Sequence, residues 1–363
     1  MTDSDSDSVS RFTDLYKNKS RKEEQQSERR RTLLEEQKFF RQSELDAGRP
    51  GLLELIEAEQ STDSDSNCSD AVRRPRIWYS KLYRDKVQLS EWMYERPDDL
   101  DSWFMVPCPA GTRCLVVIRK GRAIAYDKEG RSITRFVTGL GKRGQQRVTV
   151  LDCFLVKEAR TFYALDILVY NEMDLVHCDC QFRFLWLRSK MEEDDLRNKF
   201  CPLKQATWKL ELLPTYDFKV PAQIVDCLSR YPAFPEAKLD GLLFYHKESN
   251  YIYGRTPLVT WLFPFMVPDV LGEEWRQALN PRYLASVPAG YGLGPRAFMD
   301  EFDAKLAKRR AKRNNNRTTE MEEGGEEEHC GSNGGTGQLD GSYEDENWQQ
   351  KELDEMRRLE MEG

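Results

Sequence analysis

The chain has 363 residues, a formal net charge of -7 and 32% charged residues, a length that admits one large domain or two smaller ones. Its nine cysteines are odd in number, irregularly spaced and without a C-x-x-C pair, which argues against a disulfide framework or a zinc ribbon and fits a reducing compartment. An N-terminus reading MTDSDSDS has no apolar core for secretion, and the longest apolar stretch, Pro257 to Leu271, is too short for a bilayer and is broken by Pro264 and Pro268, so a soluble protein is expected.

Residues 1–10 are acidic and serine-rich, and Thr62 to Ser66 repeats that composition inside a linker at 46–77. Neither can bury a core, and both are expected to be disordered. Between them, 11–45 is a basic segment with a capping-box pattern at Ser20-x-x-Glu23, followed by Glu24 to Glu44 with no Gly or Pro. That pattern predicts a helix. Leu33, Leu34 and Phe40 give it only a thin apolar stripe, while Arg29, Arg30, Arg31, Lys38 and Arg41 spread charge over several sides. A helix this polar is expected to fold on a partner, and a solvated helix or a nonspecific RNA-binding arm fits the residues equally well.

Most Trp, Phe and Ile residues fall between 78 and 275, which predicts one folded domain there. Strand-like runs are Trp103 to Val106, Thr112 to Lys120, Arg122 to Asp127, Ser132 to Val137, Val148 to Lys157 and Thr161 to Tyr170, with hairpin turns at Lys120-Gly121 and Glu129-Gly130. Phe182, Leu185, Trp186 and Ser189 recur at helical spacing. A strand at Thr207 to Leu213, a helix near Ala222 to Arg230, and strands at Gly241 to His246 and Leu258 to Phe263 follow. The fold class is therefore α+β, built on antiparallel sheet. Composition loosens after Gly272, and 276–363 is read as a mostly disordered tail. Its basic cluster, Lys305 to Arg313, admits a second nuclear signal, an RNA-backbone contact or a solvated helix end. His177-Cys178-x-Cys180 is the one run with metal-ligand residue types, and buried thiols are the expected reading, so no metal or cofactor is assigned.

Five strings carry the chemistry: Cys108-Pro-Ala-Gly111-Thr-Arg113, Leu151-Asp-Cys-Phe154, Phe162-Tyr-Ala-Leu-Asp166, Asp240-Gly-Leu-Leu-Phe244 and Pro257-Leu-Val-Thr-Trp261. In order and spacing they resemble the nucleotidyltransferase fold of messenger-RNA guanylyltransferases and polynucleotide ligases. That family begins with K-x-D-G-x-R, whose lysine amine attacks the nucleotide α-phosphate. Here Cys108 stands at the lysine position and Ala110 at the aspartate, while Gly111 and Arg113 match. Phe154 replaces a glutamate, Asp240 stands alone, and Leu258 to Leu262 lacks the two lysines of the final motif. Covalent transfer needs the amine and phosphate chemistry needs compensating charge. No catalytic residue is expected, although an enzyme using Lys120 or Lys128 as nucleophile stays open as the rival reading.

The strings Gln26-Ser-Glu-Arg-Arg-Arg31, Leu89-Ser-Glu-Trp92, Leu151-Asp-Cys153, Phe182-Arg-Phe184 and Asp240-Gly-Leu-Leu-Phe-Tyr-His-Lys247 then resemble the snurportin family of nuclear-import adaptors, over Arg11 to Arg41 and Leu89 to Gly272. The resemblance implies a non-catalytic guanylyltransferase-like domain that holds the 2,2,7-trimethylguanosine cap of spliceosomal RNA. It implies Trp261 stacking on the cationic base, Trp92 beside the methylated amine, Ser90 at the base edge, Cys108 as a neutral wall, and Arg113 and Lys128 at the phosphate bridge. Without the resemblance, a Trp between Leu258 and Phe263 reads as core. It further implies an importin-β-binding helix carrying Arg29, Arg30, Arg31, Leu33, Leu34, Lys38, Phe40 and Arg41, an exportin with Ran-GTP for recycling, and shuttling between nucleus and cytoplasm.

Overall fold

In a computed structural model of the chain, the structure describes residues 21–47, 80–140, 148–171, 173–193, 196–201 and 208–308. The acidic segment 1–10, the Ser20 cap, the linker beyond residue 47 up to 79 and the tail from 309 lie outside these residues.

Two sheets form the domain. One runs β1 (Gln88–Trp92), β12 (Gly254–Leu262), β11 (Leu239–His246), β2 (Trp103–Pro109), β10 (Tyr216–Asp217) in spatial order. The other runs β5 (Ser132–Val137), β4 (Arg122–Tyr126), β3 (Thr112–Arg119), β6 (Val148–Val156), β7 (Thr161–Tyr170), β8 (Met173–Asp174), with β9 (Lys209–Leu212) also on β7. All pairs are antiparallel except β1 with β12 and β7 with β9. Alternation explains the stacking. On β6, Leu151, Cys153 and Leu155 join one apolar cluster while Phe154 and Val156 join the cluster against the first sheet, because successive side chains point to opposite faces. At the β3–β4 hairpin Lys120 and Gly121 both take positive φ, the backbone a tight two-residue turn requires.

Helix α2 (Cys180–Glu193) buries Cys180, Arg183, Phe184, Leu187 and Met191, whereas Phe182 and Leu185 of the helical-spacing pattern are exposed. The reason is an ion pair. Arg183 and Asp166 of β7 are both fully buried, with Nη2 2.9 Å from Oδ2, and Nη1 donates to the Cys178 and Ser249 carbonyls. Satisfying that guanidinium turns the Arg183 face inward. Helices α3 (Leu196–Phe200) and α4 (Pro221–Ser229) complete the domain's flanks. Among the described residues no helix is long and apolar enough to cross a membrane.

The tail expected from residue 276 does not begin there. α5 (Val267–Leu271) and α6 (Pro281–Leu284) are followed by a further helix, α7, over residues 295–308. Tyr283, Tyr291, Phe298, Met299 and Phe302 are buried in the same cluster as Trp92 and Trp261. Sparse aromatics at helical spacing suffice because each meets an already apolar wall.

The N-terminal helix α1 (Arg21–Ala47) lies against this domain. Its inward stripe is polar: Gln26, Arg30 and Gln37 are buried, while Phe39 and Phe40 are exposed. Gln26 Nε2 donates to the Trp92 carbonyl at 2.9 Å, Arg29 forks onto Glu91 at 2.7 and 2.8 Å, Arg30 donates to the Pro257 carbonyl, and the Asn250 N–H donates to Gln37. Lys38 pairs with Glu248 at 2.9 Å.

Candidate functional site

β1 and β12 run parallel with Trp92 and Trp261 as direct register partners, and the Met93 N–H donates to the Trp261 carbonyl. Two tryptophans far apart in sequence are thus neighbours on one face. β11 supplies the floor. A Cβ on Gly241 would overlap the Trp261 ring carbons Cζ2, Cε2 and Cη2, the last at 2.6 Å, so the indole lies directly on a side-chain-free stretch of backbone. Gly241 in turn pairs with Cys108 of β2.

Both indoles are covered, with 8% of Trp92 and 5% of Trp261 exposed, so a base cannot stack on either without movement. Trp261 Nε1 is buried and finds no acceptor among the described residues, an arrangement that costs about 1–3 kcal/mol. Asp240 is the extra residue where the β11 register shifts opposite Cys108. Its Oδ1 has no hydrogen-bond partner among the described residues, and burial pushes its carboxyl up to about 7. Burial, with Asp240 adding to it, also holds the Cys108 thiol well above its ordinary range. The Cys108 thiol is therefore neutral at physiological pH, unlike the lysine amine expected in an enzyme of the resembled fold.

Arg113 is the second residue of β3, just beyond the connection from β2. Its guanidinium forks onto buried Asp152, with Nη2 2.7 Å from Oδ2, and stacks 4.9 Å from the Phe154 ring. Tyr251 also donates to Asp152, at 2.6 Å. The β3–β4 pairing ends at Leu115 with Tyr126, and Lys128 lies beyond it in the turn that leads into β5, its carbonyl accepting from the Asp85 N–H. Lys128 Nζ lies 3.9 Å from Glu129. Ser90 is half-buried on β1, paired with Thr256. The structure therefore groups Ser90, Trp92, Cys108 and Trp261 on one sheet, sets Arg113 on the other, and leaves Lys128 in the turn between β4 and β5.

Of the helix residues, Arg29, Arg30 and Lys38 are engaged with the domain, Leu33 and Leu34 are half-buried, and Arg31 and Phe40 are exposed. The Arg41 side chain lies outside the described residues. Arg30 sits 5.1 Å over the Trp103 ring, and burial lowers its guanidinium to about 10, still cationic at neutral pH. An open groove lies along the helix, lined by Glu28, Arg29, Thr32, Leu33 and Glu36.

Residues 86–264 match the family model for the Snurportin1 m3G cap-binding domain. The central domain belongs to the snurportin family. Among solved structures, the ligase domain of LigD from M. tuberculosis is similar at 16% identity and a TM-score of 0.33, over 48% of this chain and 58% of that one. A Lig E DNA ligase is similar at 11% identity and a TM-score of 0.32, over 49% and 68%. This chain thus spans under two thirds of the first of these ligase chains. The snurportin match ends before α5, so α5, α6 and α7 lie outside it. Sequence reading missed three contributors to the aromatic site: Gly241 beneath Trp261, Phe302 edge-on to Trp92 at 5.5 Å, and Asp303 accepting from Trp92 Nε1 at 3.0 Å. Gly241 was visible inside its motif. Phe302 falls at helical spacing with Phe298, Met299 and Leu306, a pattern that marks an amphipathic helix, while Asp303 carries no local signal of its own.

Proposed function

We propose that this chain is an snRNP import adaptor: its central domain binds the 2,2,7-trimethylguanosine cap of spliceosomal RNA without catalysing a reaction, and α1 binds importin-β. The observation that carries the cap reading is the register pairing of Trp92 with Trp261 above a floor of Gly241 and Cys108, in a domain of the snurportin family. The name of that family model supplies the ligand class. A delocalised cation on the methylated base favours an electron-rich indole. Trp261 would leave Gly241 to stack on it, and the indole N–H that now lacks an acceptor lowers the cost of leaving.

Selectivity for the trimethylated form follows from the apolar wall. Burying two methyl groups contributes only about 1.6 kcal/mol, but an unmethylated amine facing Trp92 would lose water without gaining an acceptor, a penalty of roughly 1–3 kcal/mol. Arg113, held by Asp152, and Lys128 supply positive charge for the phosphate bridge, with Ser90 at the base edge. The non-catalytic reading rests on the neutral Cys108 at the position of the nucleophilic amine.

For the transport half, Arg31 and Phe40 are among the exposed residues of α1 that an acidic helical-repeat receptor would meet. Arg29, Arg30 and Lys38 must exchange Glu91, the Pro257 carbonyl and Glu248 for receptor groups. An exportin with Ran-GTP and shuttling between nucleus and cytoplasm complete the reading.

The test is fluorescence titration with trimethylated and monomethylated cap dinucleotides. Preference for the trimethylated form is expected, with at least about tenfold weaker binding for Trp261→Ala, in line with one base stack. Equal binding of both caps would remove the selectivity, and a covalent adduct from labelled GTP with magnesium would remove the non-catalytic reading.

A further inference from the structure

α7 is a built part of the aromatic site. Phe298, Met299 and Phe302 are at most 2% exposed, and with Asp303 they fall on one face at helical spacing. Phe298 and Phe302 lie 6.2 and 5.8 Å from the Phe263 ring, and Phe302 meets Trp92 edge-on at an interplanar angle of 88°. The Trp92 ring also tilts against Phe263 at 5.8 Å. One polar contact enters this apolar wall: Trp92 Nε1 donates to Asp303 Oδ1 at 3.0 Å. Asp303 itself is half-buried at the helix surface. A single indole rotamer satisfies the hydrogen bond and the edge contact with Phe302 together.

We propose that Asp303 is a positioning residue for recognition of a cationic methylated base, acting through Trp92 from a helix beyond the family-matched region. Its carboxylate fixes the rotation of the indole. A charge-assisted hydrogen bond from N–H to carboxylate also makes the ring more electron-rich, which strengthens attraction for a delocalised cation. The alternative, that α7 is a cover the ligand must lift off, fits less well, because its apolar face is buried as deeply as the strands beneath it. This inference rests on the cap-binding reading and deepens it.

The experiment uses the full chain with Asp303→Ala, Asp303→Asn and, as a control on the exposed side of α7, Glu301→Ala. Each is titrated with trimethylguanosine-capped and 7-methylguanosine-capped dinucleotides, alone and in a Trp92→Phe background that deletes the indole N–H. Asp303→Ala is expected to weaken the trimethylated ligand about fivefold to tenfold, the effect of one lost hydrogen bond of ordinary net strength, and to narrow the preference between caps. Asp303→Asn, which keeps an acceptor, recovers part of the loss, and Glu301→Ala stays within about twofold of wild type. In the Trp92→Phe background Asp303→Ala should have no further effect. The Trp92 indole N–H resonance should shift in Asp303→Ala. Unchanged or tighter binding by Asp303→Ala, or an equal loss in the Trp92→Phe background, would overturn the proposal while leaving cap binding standing. Wild-type protein that binds neither cap would overturn the functional reading, and this inference with it.

Discussion

Gly241→Ala adds one methyl group beneath Trp261, and its effect can be worked from the contact. Three ring carbons of one indole lie within 2.6 Å of where the new Cβ would stand, so small adjustments do not suffice and the ring must leave its place. Overpacking of this kind costs about 1–3 kcal/mol. The backbone at Gly241 is not in the left-handed region, so alanine itself suits the strand and returns about 0.5–1 kcal/mol. The net expectation is a loss of about 1–2 kcal/mol, seen as a midpoint drop of about 2–4 °C per kcal/mol in thermal unfolding, together with a red-shifted tryptophan emission. With Trp261→Ala the obstacle is gone, and the same substitution should turn neutral or stabilising by up to about 1 kcal/mol. Urea denaturation of the four proteins in the cycle reads this change of sign. An effect of the same sign and size in both backgrounds would show that the indole does not rest on Gly241.

Asp240, whose carboxyl is raised to about 7 by burial, binds its proton more tightly folded than unfolded. Its contribution is full below the ordinary carboxylate value and is lost as pH rises through the folded value. Wild type should therefore lose on the order of 2–3 kcal/mol more stability than Asp240→Asn between pH 5 and pH 8, and parallel stability profiles would refute the assignment. Asp166→Ala strands the buried Arg183 charge and should cost about 3–5 kcal/mol, whereas replacing both partners with apolar residues should recover most of it; a loss under 1 kcal/mol on urea unfolding would contradict the buried pair. Glu91→Arg opposes Arg29 and removes the carboxylate that Gln26 shares. Amide hydrogen exchange along α1 should accelerate on the order of tenfold, the loss of one charge-assisted contact, while unchanged exchange would mean that the helix does not depend on this seam.

Much of the architecture is legible from periodicity, since the hairpin strands from Thr112 to Tyr170 appear within a residue or two of their expected bounds. Strand β1 is not legible. Gln88–Trp92 is short, mixed in character, and becomes a strand only because β12 offers a free parallel edge. The exposed flank of α2 misleads for a related reason: Phe182 and Leu185 have the apolar spacing, but the buried ion pair of Arg183 and Asp166 decides which face turns inward.

What the sequence determined alone is the kind of chemistry on offer, because residue identity is local: a thiol at 108 in place of an amine, an alanine at 110, and tryptophans at 92 and 261. Which residues meet is a different matter. Trp92 against Trp261, Gly241 under the indole, Asp303 on its N–H and Gln26 on its carbonyl are contacts between segments separated by tens to hundreds of residues. No local pattern encodes them, since they follow from how two sheets and two terminal helices close around one core.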